Sequence, residues 1–166
     1  MSVRTDNVAP VETIRIDRAA PEQAAVLTTL MHASSAYRGE YASILDGYAV
    51  TADYVRAHPV FVATKTDRVI GFAALLVDEP ELDLLFVADD TQSLGVGARL
   101  VTHLLGHASG LGITRVRVVS HPPALAFYER MGARRVGTRP PVPPKITWER
   151  PELVFELGET RPAEPR

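Results

Sequence analysis

Gln92-Ser93-Leu94-Gly95-Val96-Gly97-Ala98 is a glycine-punctuated turn between two apolar segments of different period. Residues 81–87, before it, form a short apolar run typical of a strand, and the residues after it repeat apolar side chains at three- and four-residue spacing, which is typical of an amphipathic helix. The glycines therefore lie at a predicted helix N-terminus. Because the first N–H groups of a helix have no intrahelical partner and the helix dipole is positive there, this turn is suited to hold a phosphate.

The spacing of the turn excludes the two most familiar nucleotide-binding loops. A Walker loop requires Gly-Lys followed by Ser or Thr, but Gly97 is followed by Ala98 and Arg99. A dinucleotide-binding loop requires a third glycine three residues after the second, where this chain has Leu100. The interpretations that remain are another kind of phosphate-binding loop and a plain turn at the start of a helix.

A second segment downstream favours the phosphate-binding loop. The sequence His121-Pro122-Pro123-Ala124-Leu125-Ala126-Phe127-Tyr128-Glu129-Arg130-Met131-Gly132-Ala133 resembles the Asn-x-x-Ala-x-x-Phe-Tyr-Glu-x-x-Gly-Phe segment of the GNAT superfamily of acyl-CoA-dependent N-acetyltransferases. The glycine turn is similar to the Gln/Arg-x-x-Gly-x-Gly/Ala loop of the same superfamily. Three positions depart from the pattern, since His121 replaces Asn, Ala133 replaces Phe and Leu94 replaces the Arg before the first glycine. The resemblance covers roughly residues 60–157.

This resemblance implies an α/β (α+β) fold with a mixed, mostly antiparallel central sheet, flanked by helices and splayed beside the strand that ends at Val87. It implies acetyl-CoA as co-substrate, with the pyrophosphate on the glycine turn and the backbone N–H of Val87 at the thioester oxygen. No metal is expected. The residues assigned to acetyl-CoA in this way are Phe86, Val87, Gln92, Ser93, Leu94, Gly95, Val96, Gly97, Ala98, His121 and Tyr128.

The 166 residues are enough for one domain with a sizeable core and too few for two. We expect a single domain over residues 1–157 and a flexible tail over 158–166, which is rich in proline and charge. The net charge of -2 and the absence of a Lys/Arg block leave no basic surface for nucleic acid or membrane. Since no apolar run approaches the ~18 residues of a membrane span or forms a signal peptide, we expect a cytoplasmic protein. We also expect it to be a monomer or homodimer.

The other elements follow from alternation and turn residues. The runs 60–64 and 69–77 are predicted to form a hairpin around Thr66 and Asp67, and Thr51 is a predicted helix N-cap. Gly110 and Gly112 are predicted to end the helix after the glycine turn. Further strands are predicted at 13–16, 82–87, 113–120, 134–138 and 153–157, and further helices from Pro21 to about Ala33 and from Pro122 or Pro123 through Tyr128.

Glu81 and Asp83 are the candidates for a general base. By the period-two rule of a strand, both are expected to share one face with Leu85 and Val87. An alkylamine of pKa ~10.4 is almost entirely protonated at pH 7, so an amine that attacks a thioester first has to lose a proton. Either carboxylate could accept it, directly or through water. The alternative is a solvated acidic pair after Pro80.

Tyr128 is the candidate for the proton donor to the departing thiolate of CoA. A thiol of pKa ~8.5 leaves with little help, so a phenol of pKa ~10 is expected to make only a limited contribution to the rate. The alternative is an aromatic ring that packs beside Phe127 on an amphipathic helix.

Two further groups of side chains are ambiguous from sequence alone. His103 and His107 lie four residues apart on the helix after the glycine turn, but the Glu of a zincin helix and a third ligand are missing, which favours a solvated helix face over a metal site. Several aromatic residues lie outside the matching segments and either line an acceptor site or simply pack. They are Tyr37, Tyr41, Tyr48, Tyr54 and Trp148.

The predicted function is transfer of the acetyl group of acetyl-CoA to a primary amine of a small molecule or peptide, by direct attack in a ternary complex. The chain has no cysteine, so the acetyl group cannot pass through a thioester of the enzyme. One alternative is a GNAT-like module that binds acyl-CoA without turnover. Another is a structural domain whose glycine turn binds nothing.

Overall fold

The computed structural model describes residues 13–37 and 39–158. The strands are β1 (Ile14–Arg18), β2 (Val60–Lys65), β3 (Arg68–Leu76), β4 (Glu81–Val87), β5 (Arg115–Val119), β6 (Arg134–Arg139) and β7 (Arg150–Glu156). They form one seven-stranded sheet in the order β1-β2-β3-β4-β5-β7-β6. Every neighbouring pair is antiparallel except β4 and β5, which are parallel. The predicted mixed, mostly antiparallel sheet is therefore confirmed.

The α-helices of the described residues are α1 (Ala24–Ala33), α2 (Ala52–Ala57), α3 (Val96–Gly110) and α4 (Leu125–Arg130). Short 3-10 turns precede three of them or connect elements, at Pro21–Gln23, Ser35–Tyr37, Gly39–Leu45, Asp89–Leu94 and Pro122–Ala124. The helix predicted from Pro21 is thus divided into a 3-10 turn and α1. The Thr51 side chain accepts a hydrogen bond from the Tyr54 N–H at 3.0 Å, which confirms the predicted N-cap of α2.

The helices cover both faces of the sheet because each presents one apolar stripe to it. α3 buries Val96, Leu100, Val101, Leu104 and Ala108 in a core that also contains the Tyr128 ring of α4. α1 and α2 cover the opposite face, where Leu27, Met31 and Val55 pack with Phe72 and Phe86. The cleft described below therefore has α3 and α4 on one side of the sheet and α1 and α2 on the other.

The hairpin of β2 and β3 turns at Thr66 and Asp67, as predicted. Both residues have positive φ, 47° and 59°, which is the pattern of a two-residue turn that matches the twist of its strands. Gly110 is the last residue of α3 and Gly112 follows it with φ of 80°, so this helix ends where the glycines predicted.

Three strands differ by two or more residues at one end from the prediction, and the first of them is β1, which covers Ile14–Arg18 and not 13–16. β5 covers Arg115–Val119 and is shorter than 113–120, whereas β7 begins at Arg150 because it pairs there with Arg139 of β6. The predicted tail begins at Gly158, and residues 159–166 lie outside the described residues. In the described part of the chain, no helix is long and apolar enough to cross a membrane.

Candidate active site

The sheet splits between β4 and β5. These strands are joined at one position, Glu81 opposite Arg117, whereas β3 and β4 pair along the whole of β4. Beyond Glu81 the β5 side of β4 has no ladder partner among the described residues. The split opens into a cleft of about 780 Å³, which both strands, the glycine turn and α4 line. The predicted splay of the sheet is at this place.

The backbone of β4 points the Val87 N–H group into this split. Phe86 lies opposite Phe72 in the ladder with β3, and the Ala88 N–H donates to the Ile70 carbonyl at 2.8 Å. Since successive N–H groups of a strand point to opposite sides, the Val87 N–H between them points away from β3 and toward β5. It is a donor without a sheet partner at the open edge of the strand.

A bulge at Asp83 interrupts the alternation of side chains along β4. Ala74 of β3 lies opposite Leu84, but the next residue, Leu75, lies opposite Leu82, so Asp83 has no opposite residue. An extra residue in one strand exchanges the two faces for every side chain beyond it. The period-two rule therefore fails across this point.

The prediction that Glu81 and Asp83 share a face with Leu85 and Val87 is wrong for this reason. Leu85 and Val87 pack against the core beneath α3. Glu81 and Asp83 lie on the opposite face, where the Tyr54 hydroxyl of α2 donates to Asp83 Oδ2 at 2.5 Å. The two carboxylates remain together, on the side of the sheet that α1 and α2 cover.

Glu81 is partly buried and held by an arginine. Its side chain is 19% exposed, and its Oε2 lies 3.5 Å from Nη2 of Arg117. Burial raises the pKa of the Glu81 carboxyl, Arg117 opposes this shift, and the charge of Asp83 adds to it. A carboxylate with a raised pKa binds a proton more readily, as a general base for an amine requires.

Asp83 has a different environment. Burial and the hydrogen bond to Asp83 raise the pKa of the Tyr54 phenol, which therefore stays protonated and donates. An ionised carboxylate accepts about four hydrogen bonds, so Asp83 keeps capacity for a cationic donor beside Tyr54. Tyr48, the neighbouring phenol, also lines the cleft.

The glycine turn has the predicted position. Its two glycines differ in whether the local structure requires glycine. Gly95 adopts φ of 70°, a left-handed conformation that L side chains rarely take, immediately before α3. A Cβ atom at Gly97 would lie 3.4 Å from the Phe127 ring, which is an ordinary contact. The backbone of Gly95 therefore requires glycine, while Gly97 leaves space that a small side chain could fill.

Most residues assigned to acetyl-CoA from sequence line the cleft. Leu94 and Val96 do not, because the Leu94 side chain is 44% exposed and the Val96 side chain is fully buried in the core. Either could reach a ligand only through its backbone. The side chain of Ser93 lies outside the described part of the structure. The residues that line the cleft as predicted are Glu81, Asp83, Phe86, Val87, Gln92, Gly95, Gly97, Ala98, His121 and Tyr128.

Tyr128 extends from α4 into the cleft. Its ring is 7% exposed and packs edge-on against Phe127 and Phe155, and its hydroxyl has no hydrogen-bond partner among the described residues. Burial raises the pKa of the Tyr128 phenol, and nearby Tyr37 adds to the shift. The phenol is therefore protonated at neutral pH, as a proton donor has to be.

His121, in place of the usual Asn, belongs to a row of aromatic rings that crosses the split. Its Nε2 lies 3.1 Å from the Ala36 carbonyl, which only accepts, so Nε2 carries the proton. Its ring stacks on Tyr37 with centroids 4.3 Å apart. Burial lowers the pKa of the His121 imidazole and the hydrogen bond to Ala36 opposes this. We call this row the aromatic bridge; its members are Phe86, Tyr37, His121, Tyr41 and Trp148.

Three arginines of the site are not among the residues that define the sequence motifs, although Arg130 lies at a variable position of the second segment. Arg130 and Arg150 line the cleft and Arg117 contacts Glu81. Arg117 alternates with Val116 and Val118 along β5, which puts it on the face away from the apolar core, but only the strand pairing places it beside Glu81. His103 and His107 each pack edge-on against Phe61, at 4.8 and 5.1 Å.

Similarity to known proteins agrees with this geometry. The family model of the acetyltransferase (GNAT) domain matches residues 23–141. The peptidyl-lysine N-acetyltransferase YjaB of Salmonella typhimurium is 33% identical over 105 residues, which are 63% of this chain and 66% of YjaB.

Two solved structures with the same fold are only distantly related in sequence. A GCN5-related N-acetyltransferase of Rhodopseudomonas palustris superposes with a TM-score of 0.73 at 21% identity, over 87% of this chain and 95% of that one. A GNAT superfamily phosphinothricin acetyltransferase of Sinorhizobium meliloti, solved in complex with acetyl-CoA, gives a TM-score of 0.71 at 19% identity, over 92% and 94% of the two chains. The family match covers most of the chain, and the sheet splits beside the glycine turn that precedes α3. This protein therefore belongs to the GNAT acetyltransferase family.

Proposed function

We propose that this protein transfers the acetyl group of acetyl-CoA to a primary amine by direct attack in a ternary complex. The observation that carries the proposal is the single cleft that joins the N-terminus of α3, the region of Val87, the Tyr128 ring and the carboxylates of Glu81 and Asp83. This cleft supports the proposal because the groups to which we assign anion binding, oxyanion stabilisation and proton transfer all line it.

The N-terminus of α3 fits the pyrophosphate of acetyl-CoA. The first hydrogen bond of this helix runs from the Arg99 N–H to the Gly95 carbonyl at 3.1 Å. The N–H groups of Val96, Gly97 and Ala98 therefore have no intrahelical acceptor, and the dipole of the helix adds a positive field. An anion at this position is stabilised by donors that the fold already points at it.

Arg130 is our candidate for the cation that the glycine turn lacks. Leu94 occupies the position where the family usually has an arginine. Arg130, in the last turn of α4, lines the same cleft and has no ion pair with any described residue. We assign to it the charge that Leu94 cannot supply to the phosphates.

Glu81 is our candidate for the base. In the proposed reaction the amine nitrogen bonds to the thioester carbonyl carbon, and a proton of the ammonium passes to Glu81 directly or through water. At pH 7 an alkylamine of pKa ~10.4 is neutral in roughly one molecule per thousand or fewer, a cost of about 4 to 5 kcal/mol. Asp83, beside the Tyr54 hydroxyl, is suited to hold the ammonium before it loses its proton.

Two other atoms change their charge in the proposed reaction, the carbonyl oxygen of the thioester and the sulfur of CoA. We assign Val87 to the first and Tyr128 to the second. The Val87 N–H is placed to donate to the carbonyl oxygen as it becomes negative during the attack. When the carbon–sulfur bond breaks, the Tyr128 hydroxyl donates its proton to the sulfur, which leaves as the thiol of CoA.

Release of free CoA thiol tests this function. The protein would be mixed with acetyl-CoA and a panel of amines: amino acids, polyamines, aminoglycosides, peptides with a free N-terminus and peptides with an internal lysine, the last because the Salmonella relative is named a peptidyl-lysine N-acetyltransferase. We expect thiol release that requires both protein and amine. If acetyl-CoA bound and no amine led to release, the protein would instead be a non-reactive acyl-CoA module.

A further inference from the structure

A chain of ion pairs lies on the face of β5 and β7 that is turned away from α3, the same face that carries Glu81. Arg117 lies 3.5 Å from Glu81 and 3.6 Å from Glu152. The second oxygen of Glu152 lies 3.5 Å from Nε of Arg139. Both carboxylates are therefore already occupied by Arg117 and Arg139.

Arg150 lies on the same face but takes no part in these ion pairs. It alternates with Pro151 along β7 and so points to the same side of the sheet as Glu152. In the ladder it lies opposite Arg139, a like charge, which is an unfavourable cross-strand neighbour. No carboxylate of the described residues lies within 4.0 Å of Arg150, although its side chain lines the cleft.

Two buried donors within residues 148–150 have no acceptor among the described residues. The Nε of Arg150 is buried and has no hydrogen-bond partner among the described residues, and the same is true of the indole N–H of Trp148. A buried donor without a partner is costly, most of all when it carries charge. The planar fork of a guanidinium matches the two oxygens of a carboxylate, so an anionic ligand would relieve this cost.

The position of Arg150 along the sheet puts it at the reacting end of the cleft. The Ser120 N–H donates to the Pro151 carbonyl at 2.9 Å, which places Arg150 beside the end of β5. From the pair of Glu81 with Arg117, this level lies about 13 Å, or four residues, along β5, and Val87 lies six residues along the parallel β4. At the same end of β4, the Val87 N–H opens into the split.

We propose that Arg150 binds a carboxylate of the acceptor, so that the acceptor is an amine with a carboxylate a few bonds from its nitrogen, as in an amino acid. This inference rests on the proposed acetyl transfer. Arg150 receives the anionic end of such a molecule, so that its nitrogen lies at the Val87 end of the cleft and passes its proton to Glu81 through water.

The test compares matched acceptors that differ only in this charge. Thiol release would be measured with L-amino acids, with their C-terminal amides and with peptides that contain an internal lysine, for wild type, Arg150→Gln and Arg135→Gln. Arg135 is an exposed arginine of the neighbouring β6 and serves as the control. A hydrogen-bonded charge pair of about 1.5 to 3 kcal/mol corresponds to a change of roughly 10- to 100-fold.

We expect wild type to favour one or more amino acids over the matching amide by about tenfold or more in kcat/KM. Arg150→Gln should remove that preference by lowering kcat/KM for the acid and leaving the amide unchanged, while Arg135→Gln should behave as wild type. Equal rates for acid and amide in wild type, equal losses for both in Arg150→Gln, or a preference for internal lysine would contradict the assignment of Arg150 and leave acetyl transfer intact. Absence of thiol release with every amine would contradict the proposed function itself.

Discussion

At the scale of single residues, the two carboxylates of β4 have separate environments, because Glu81 contacts Arg117 and Asp83 contacts Tyr54. If Glu81 accepts the proton of the amine, Glu81→Gln should lower the rate by about 100-fold or more at neutral pH. The loss should shrink as the pH rises toward ~10, since the amine then deprotonates without help. Rate–pH profiles with one confirmed amine measure this. A loss of the same size at every pH would mean that Glu81 only positions its neighbours.

Tyr128 has a raised pKa, a buried ring and a hydroxyl without a partner among the described residues. Tyr128→Phe keeps the ring, so acetyl-CoA binding and the melting temperature should change little. Because a thiolate can leave unassisted, the single-turnover rate should fall by roughly 10- to 100-fold, or about 1.4 to 2.7 kcal/mol of barrier. Single-turnover measurement separates this from product release. An unchanged rate would reduce Tyr128 to a packing residue.

His121 makes the stability of the protein depend on pH. Burial lowers the pKa of its imidazole, although the Ala36 carbonyl opposes the shift, so in mildly acidic solution the unfolded chain binds a proton that the folded protein does not. Stability from this residue is therefore complete above its unfolded pKa of ~6.5 and is lost as pH falls toward the folded value. His121→Asn should flatten the fall of the melting temperature between about pH 7 and 5. His107, whose pKa burial also lowers, is present in both proteins. An equally steep fall in the variant would contradict this role.

At the scale of elements, α3 contains a matched pair of glycine substitutions. Gly95 precedes the helix with φ of 70°, and Gly106 lies in its interior; a Cβ at either would meet nothing within 4 Å. Gly95→Ala should therefore lower the free energy of unfolding by about 1 to 2 kcal/mol through backbone strain alone. Gly106→Ala should raise it by about 0.5 to 1 kcal/mol because alanine is the better helix former. Denaturant unfolding measures both, and a stabilising Gly95→Ala would show that the turn does not need its left-handed residue.

The elements that the sequence predicted well are those determined by neighbouring residues. Thr66 and Asp67 form the hairpin turn, and Gly110 and Gly112 end α3, because turn and cap conformations depend on the residues in the turn itself. The bulge at Asp83 was not predictable in this way. It arises from the register between β3 and β4, and one extra residue was enough to exchange the faces of the strand.

The residues of the candidate site also fall into two groups, those that local sequence patterns identify and those that only the fold brings to the site. The residues of the glycine turn and Tyr128 were found because they lie in contiguous motifs. Arg117 and Arg150 belong to no motif and become part of the site only through the order β4-β5-β7 of the sheet. The ion pair of Glu81 with Arg117 joins residues 36 positions apart, a separation at which local patterns carry no information.

At the scale of the whole molecule, the split of the sheet is what combines these residues into one site. α3 and α4 flank it on one face, and α1 with α2 flank it on the other, so a thioester entering from the glycine turn would meet an amine that approaches from the opposite face. The bulge puts the carboxylates of Glu81 and Asp83 on the face away from α3, which is the side from which the amine would approach.

Binding of acetyl-CoA at the glycine turn is measured by thermal unfolding with and without acetyl-CoA, for wild type, Gly97→Ala and Gly97→Glu. Wild type should gain about 2.7 kcal/mol at a ligand concentration a hundred times the Kd, or roughly 5 to 11 °C for a chain of this size. Gly97→Ala, whose Cβ fits beside Phe127, should keep most of the shift. Gly97→Glu should lose it, because a bulky negative side chain would occupy the position of the pyrophosphate. Equal shifts in all three proteins would contradict the claim that the glycine turn and the split sheet hold acetyl-CoA.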